Sequence, residues 1–122
     1  MNQMKKENVI QDKSYAFALR IVKLYQFLTN DKKEFVLSKQ VLRSGTSIGA
    51  NVEEGIGGQS GKDFQAKMAI AYKEARETHY WIRLLRDSGF LTDNQTRSIL
   101  FDCEELMKIL GSIQKTMRIR NS

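Results

Sequence analysis

The sequence predicts an all-α fold, an antiparallel up-down-up-down four-helix bundle, from three observations. The chain of 122 residues contains no proline and is rich in residues that favour helices, so nothing interrupts long helical segments. Apolar residues recur at steps of three and four in four segments, which is the spacing of one face of an α-helix. The connections between these segments are short, and short connections make neighbouring helices antiparallel. The length fits one domain spanning residues 1–122.

The first helix is predicted at residues 14–29 and the second at residues 38–55. The polar stretch at residues 30–34 forms the turn between them. Ser38 is a suitable N-cap for the second helix, and Gly55 suits a left-handed C-cap. The apolar face of the first helix consists of Phe17, Ile21, Leu24 and Leu28.

The third helix, predicted at residues 61–88, carries the strongest pattern in the chain. Ser60 and Asp63 resemble a capping box at its start, and Ser88 and Gly89 mark its end. Its buried face repeats for three heptads, which is the period of a left-handed bundle. The repeating positions are Phe64, Met68, Ala71, Ala75, Thr78, Ile82 and Leu85.

The fourth helix is predicted at residues 93–118, with Thr92 and Gln95 as a second capping box. Its core positions are Ile99, Cys103, Leu106, Leu110, Ile113 and Met117. Cys103 is therefore expected to behave as a small apolar residue. A single cysteine permits no internal disulfide, and the first residues do not resemble a signal peptide, so a cytoplasmic protein is expected.

The second helix combines an apolar stripe with a stripe of small and polar residues, which indicates close packing against its neighbours. Ser47, Asn51 and Glu54 belong to the polar stripe. On the third helix, Glu74 and Glu77 lie at the edge of the core, where carboxylates need hydrogen-bond partners. We expect Ser47 and Asn51 to supply them. The predicted structural polar network comprises Ser47, Asn51, Glu54, Glu74 and Glu77.

The net charge is +6, and the basic residues concentrate towards the two ends of the chain. In this topology the start of the first helix meets the end of the fourth, so the two basic segments come together. A positive surface is typical of proteins that bind nucleic acid. Solvated, unstructured termini are the alternative. The candidate nucleic-acid-binding residues are Lys5, Lys6, Lys13, Arg20, Lys23, Lys115, Arg118 and Arg120.

The third helix carries more aromatic surface than one bundle face needs. Two interpretations remain open, a wide core stripe or a subunit interface, because tryptophan and tyrosine are enriched at interfaces. The candidate interface residues are Tyr72, Tyr80, Trp81 and Leu84.

The residues give little support to enzymatic chemistry. A di-iron bundle would use Glu-x-x-His motifs, whereas this chain has one histidine, His79, and no such motif. The glycine-rich segment GIGGQSGKD lacks the spacing of a phosphate-binding loop. A small enzyme built on Glu74, Glu77 and His79 would lack a nucleophile, a cofactor motif and a metal set. We therefore expect a non-catalytic protein without metal or cofactor.

Four segments together carry a resemblance to a known family: LRSGTSIGANVEEG at 42–55, DF at 63–64, IAYKEARETHYWIRLL at 70–85 and GFL at 89–91. They resemble the four-helix-bundle proteins encoded in intervening sequences of bacterial 23S rRNA genes. The resemblance extends over residues 9–117. Within it, the family's S-x-x-x-N-x-x-E-G and E-T positions are occupied by Ser47, Asn51, Glu54, Gly55 and Glu77.

This resemblance implies a cytoplasmic bundle that assembles as a ring-shaped homo-oligomer, specifically a homopentamer, with no known enzymatic activity. Related bundles resemble the accessory variability determinant of diversity-generating retroelements, a basic pentamer that contacts nucleic acid and a reverse transcriptase. The leading hypothesis is therefore a non-catalytic oligomer that binds structured RNA or other nucleic acid. The alternative is a protein scaffold that uses the aromatic face of the third helix.

Overall fold

Four α-helices account for most of the chain. The structure, a computed structural model, describes the backbone of residues 3–121 and the side chains of residues 8–120. The helices are α1 (Gln3–Asn30), α2 (Leu37–Ile56), α3 (Gly61–Asp87) and α4 (Asp93–Asn121), and the described backbone contains no strand. The all-α prediction is confirmed. The helix α1 begins well before residue 14, because the fully buried Ile10 extends its apolar face.

Contacts between side chains fix the direction of each helix. Each helix packs against the two beside it, in the cyclic order α1, α2, α3, α4. Gln11, early in α1, donates to the carboxylate of Glu53, late in α2, at 3.1 Å. Lys13 pairs with Glu105 on α4 at 3.1 Å, and Arg20, further along α1, pairs with an earlier residue of α4. Neighbouring helices are therefore antiparallel, and the bundle runs up, down, up, down.

The core lies along the bundle axis and receives side chains from all four helices. Cys103 is one of its fully buried members, and its Sγ lies 3.3 Å from the carbonyl oxygen of Ala75. Burial is the main cause that raises the pKa of the Cys103 thiol to about 12, with smaller contributions from the neighbouring acids Glu104 and Asp102. The residue behaves as a small apolar group, as its position predicts.

The helix α2 packs closely against α1 in the core. A Cβ at Gly45 would lie 2.7 Å from Cγ1 and 2.8 Å from Cγ2 of Ile21. One turn later, a Cβ at Gly49 would lie 3.3 Å from the main-chain oxygen of Ser14. Glycine at these two positions removes the side chain that would hold the helices apart. The close packing predicted for α2 is confirmed on this side.

Gly55 has a different role from the predicted left-handed C-cap. The helix α2 continues to Ile56, and Gly57, which follows it, has φ −81°, outside the left-handed region. Gly55 is buried inside the helix, where a Cβ would lie 2.7 Å from Cε of Met68 and 3.0 Å from Cβ of Lys67. The capping prediction is wrong because this glycine is needed for close packing against α3.

The start of α2 also differs from the prediction. Ser38 is not the N-cap; it lies inside the first turn, and its hydroxyl donates to the main-chain oxygen of Glu34 at 2.8 Å. The Glu34 carboxylate instead accepts from the main-chain N–H groups of Val36, Leu37 and Ser38, at 3.2, 3.0 and 2.7 Å. A side chain from the preceding turn thus satisfies the free N–H groups that begin a helix.

The capping interactions predicted at the starts of α3 and α4 and at the end of α3 are present in the structure, whereas α4 runs three residues beyond its predicted end at 118. Ser60 accepts from the main-chain N–H of Asp63 at 3.1 Å. Thr92 and Gln95 exchange two hydrogen bonds, at 2.8 and 3.1 Å, which is a complete capping box. Gly89 has φ 91°, and the bonds that close the end of α3 around it form a Schellman turn.

The contact at Gly45 generates a stability prediction. Gly45→Ala is expected to lower the free energy of unfolding by about 1 kcal/mol, because an overpacking cost of about 2 kcal/mol exceeds the gain of about 1 kcal/mol in helix propensity. Ile21 is β-branched and cannot move both Cγ atoms away. Urea unfolding measures the effect. Gly57→Ala is the control, since its Cβ would meet the nearest atom at 3.5 Å.

A double variant makes this prediction specific to the helix contact. Ile21→Ala in the Gly45→Ala background should give a coupling energy that partly offsets the two single losses of unfolding free energy. Ile21→Ala removes the clash with the new Cβ at position 45, and this Cβ fills part of the cavity that Ile21→Ala leaves. An unfolding free energy for Gly45→Ala equal to that of the parent protein would contradict the packing argument.

Glu34 generates a pH prediction. Burial alone would raise the pKa of this carboxyl, but the hydrogen bonds from Leu37, Ser38 and Val36 outweigh it and hold the pKa below its ordinary value of 4.5. The ionised Glu34 carboxylate therefore stabilises the fold fully above the pKa that this group has in the unfolded chain. This stabilisation is lost as the pH falls through the pKa of Glu34 in the folded protein. Glu34→Gln should cost about 1 kcal/mol at pH 7, and this difference should shrink on acidification below about pH 4.

Unfolding by urea at a series of pH values, followed by circular dichroism, measures the difference between the two proteins. Asp31→Asn, an exposed carboxylate in the same connection, is the matched control and should leave the free energy of unfolding nearly unchanged. A gap between parent and Glu34→Gln that stays constant from pH 7 to pH 3 would show that the carboxylate charge is not what caps α2.

Candidate nucleic-acid interface

The predicted basic residues fall into two groups by their partners. Lys13 and Arg20 cross from α1 to α4, where Lys13 pairs with Glu105 and Arg20 pairs with Asp102 at 2.5 Å. Arg20 also donates to the hydroxyl of Ser98 at 3.0 Å. Such exposed ion pairs contribute only about 0–1 kcal/mol to the free energy of unfolding, so a phosphate could compete with the carboxylate for either cation.

The second group is exposed and has no carboxylate partner among the described side chains. It consists of Lys23, Lys115, Arg118 and Arg120. Because α1 and α4 are antiparallel, the last three lie at the end of the bundle where α1 begins. The side chains of Lys5 and Lys6 lie outside the described residues.

Carboxylates and cations are used differently across the described part of the chain. Most of the carboxylates are engaged in ion pairs, in the Glu34 cap or with Gln11, whereas only five lysines or arginines pair with a carboxylate: Lys13, Arg20, Arg43, Lys67 and Arg86. The others are exposed to solvent. They are Lys23, Lys32, Lys33, Lys39, Lys62, Lys73, Arg76, Arg83, Arg97, Lys108, Lys115, Arg118 and Arg120.

A second basic cluster, which the sequence analysis does not predict, lies at the opposite end of the bundle. The α1–α2 connection carries Lys32 and Lys33, and the antiparallel arrangement places it at the same end as Arg83 near the end of α3 and Arg97 near the start of α4. The same antiparallel topology that brings the two chain ends together also brings these four cations together. The bundle is therefore basic at both ends.

The predicted network of Ser47, Asn51, Glu54, Glu74 and Glu77 does not form, although three of these residues make polar contacts between α2 and α3. Glu74 and Glu77 both pair with Arg43, and the distance from Arg43 Nη1 to Glu74 Oε2 is 3.0 Å. The indole N–H of Trp81 donates to Glu77 at 2.9 Å. Glu54 pairs separately with Lys67 at 3.0 Å. Arg43 was missed because its reach across the helix contact cannot be read from spacing.

Ser47 and Asn51 bond to their own helix instead of to the carboxylates of α3. The Ser47 hydroxyl donates to the main-chain oxygen of Arg43 at 2.6 Å, and the Asn51 amide donates to that of Ser47 at 2.8 Å. Short polar side chains commonly bond the carbonyl one turn earlier. The buried polar contact between the helices is made by two other hydroxyls, Ser44 and Thr78, which lie 2.9 Å apart.

The candidate interface on α3 is only partly exposed. Tyr72 and Trp81 are half-buried and pack against the core. For these two residues, this packing favours a wide core stripe over a subunit interface. Leu84 is half-buried as well. Tyr80 is 49% exposed and makes an edge-on contact with the Trp81 ring, with centroids 5.0 Å apart.

The residues considered for enzymatic chemistry have structural partners. His79 Nε2 lies 2.9 Å from a carboxylate oxygen of Glu104, and Glu74 and Glu77 share Arg43. Within the described side chains, no group of three or more His, Cys, Asp or Glu is arranged to hold a metal ion. No helix in the described part of the chain has the length and apolar character needed to cross a membrane.

Four antiparallel helices, joined by a polar contact between α2 and α3 and basic at both ends, define a small basic four-helix-bundle protein. The chain belongs to the 23S rRNA-intervening sequence protein family, which matches residues 6–112. The resemblance seen in the sequence is thereby confirmed.

A solved structure supports the same conclusion. A protein of unknown function from the S23 ribosomal protein family of Bacteroides thetaiotaomicron VPI-5482 has 55% sequence identity to this chain, covers 90% of it and 98% of its own length, and superposes with a TM-score of 0.88. No functionally curated protein matches the chain.

Proposed function

We propose that this protein is a non-catalytic, cytoplasmic nucleic-acid-binding bundle that contacts the phosphate backbone of structured RNA. The observation that carries the proposal is the division of charge: carboxylates serve contacts within the fold, while most lysines and arginines of the described residues face solvent without a carboxylate partner. When lysine or arginine side chains without a carboxylate partner meet phosphates, they displace the counterions condensed on the nucleic acid, which favours binding to a polyanion.

The arrangement favours backbone contact over base-specific readout. The exposed cations are spread over both ends and along α4, and lysine and arginine contacts to phosphate position a protein without reading sequence. The alternative role, a scaffold that uses the aromatic face of α3, has less support, because Trp81 and Tyr72 pack into the protein's own core.

We further propose that the protein self-associates, with the homopentamer of the family resemblance as the expected state. The exposed apolar residues that support this lie on α1, where Tyr15, Leu19 and Val22 are 65%, 51% and 37% exposed and follow the spacing of one helical stripe. Beside this stripe, Ala18 and the small residues Gly49 and Ala50 line a groove between α1 and α2, so another helix could approach closely.

RNA binding is tested by electrophoretic mobility shift with fragments of 23S rRNA and an unrelated RNA of equal length, across a salt series. The affinity should fall steeply as the salt concentration rises. Replacing Lys115, Arg118 and Arg120 together by alanine should make the negative slope of log K against log salt shallower, by about 0.9 for each phosphate that is no longer neutralised. Replacing Lys73 and Arg76, on the middle of α3, is the control. Affinity that does not change with salt would refute the proposal.

Self-association is tested by sedimentation velocity at micromolar concentration. Leu19→Glu should shift the protein to the monomer, because it places a charge in the centre of the α1 stripe. Tyr80→Glu makes the same kind of change on α3 and should leave the assembly intact. If Tyr80→Glu dissociates the protein and Leu19→Glu does not, the interface lies on α3; a monomeric parent protein would end the assembly proposal.

A further inference from the structure

A groove between α1 and α4 combines an apolar floor with a basic rim. Its volume is about 380 Å³, within the range of about 300–1,000 Å³ that is usual for ligand pockets. It lies near the end of the bundle that carries the α1–α2 and α3–α4 connections. We refer to it as the α1–α4 groove.

The floor of the groove is made by four apolar side chains, Leu24, Phe27, Leu91 and Ile99. Leu91 and Ile99 are each 4% exposed and belong to the core, so this floor is held rigidly. Leu24 and Phe27 are half-buried, pack against the core and line the groove. Aromatic and apolar floors of this kind bind the flat face of a nucleobase by stacking.

Among the described residues, every charged side chain that lines the groove is a cation. Arg20 and Lys23 line it from α1, and Lys32 adds an ammonium group 6.0 Å from the centre of the Phe27 ring. The bonds of Arg20 to Asp102 and Ser98 use Nη1, which orients the guanidinium while Nη2 and Nε remain as donors. Lys23 is exposed and has no carboxylate partner among the described side chains. The groove therefore favours an anionic ligand.

Gln95 completes the lining with a polar group of defined direction. Its Oε1 accepts the main-chain N–H of Thr92 in the capping box of α4, at 2.8 Å. The capping bond fixes the amide, and the Nε2 group remains as a donor for an oxygen of the ligand. A carbonyl on a base edge or a phosphate oxygen fits this donor.

We propose that the α1–α4 groove seats one unpaired nucleotide of an RNA, with the base on Leu24 and Phe27 and the adjoining phosphate between Arg20 and Lys23. This inference rests on the proposed RNA binding and adds a preference for single-stranded segments. Bases in a duplex stack on one another, so only a splayed base can reach the groove floor.

The test is fluorescence anisotropy with a labelled single-stranded decauridylate and with a blunt RNA duplex, at fixed low salt. The parent protein should bind the single strand more tightly than the duplex. Phe27→Leu, which keeps an apolar side chain and removes the ring, should weaken single-strand binding about tenfold and leave duplex binding nearly unchanged. Lys23→Ala should weaken both and lower the salt slope by about one.

Lys39→Ala, an exposed lysine on α2 without a carboxylate partner among the described side chains, is the matched control and should leave the single-strand preference intact. Thermal unfolding checks that Phe27→Leu is folded, and Lys23→Ala tests the rim without touching the core. A duplex bound more tightly than the single strand, or RNA binding that neither groove variant changes, would overturn the groove while leaving the proposed function standing.

Other outcomes separate the two proposals further. If the parent protein binds neither RNA, the proposed function fails and the groove proposal falls with it. If Phe27→Leu abolishes self-association in sedimentation velocity and binds both RNAs like the parent protein, a second copy covers the groove, and the nucleotide assignment is overturned.

Discussion

The contact of α2 with the helices on both sides sets the geometry of the bundle. On one side Gly45 leaves space that Ile21 fills, and on the other Gly55 leaves space for Met68, so α2 lies close to α1 and α3 at once. Between α2 and α3, the hydroxyls of Ser44 and Thr78 meet inside the core, and their buried hydrogen bond requires one rotation of each helix. The position of the Arg43 side chain over Glu74 and Glu77 follows from that rotation.

The charge distribution follows from the same arrangement. Carboxylates lie mostly along the helix contacts, where they accept hydrogen bonds from a neighbouring helix or from the start of α2. The net charge of +6 is then presented outward by the cations at both ends. Membership of the 23S rRNA-intervening sequence protein family establishes the type of bundle, while the surface charge is the argument for what it binds.

Much of the fold could be predicted from the sequence, because long heptad runs and local capping motifs act over a few residues. The capping interactions at Ser60 and Thr92 and the core position of Cys103 are of this kind. The start of α2 was not predictable, since Glu34 lies outside the helix that it caps. The partners in the polar network depend on helix rotation and side-chain length: Arg43 spans the gap to α3, whereas Ser47 bonds to its own helix.

The position of Trp81 has a practical consequence. It is the single tryptophan of the chain, and its indole N–H donates to Glu77, which also receives Arg43 from α2. Its emission wavelength and quenching therefore report on the junction of two helices without any attached dye. Stopped-flow mixing could follow the docking of α2 onto α3 in real time, and the same native signal would show whether a ligand held elsewhere disturbs that junction.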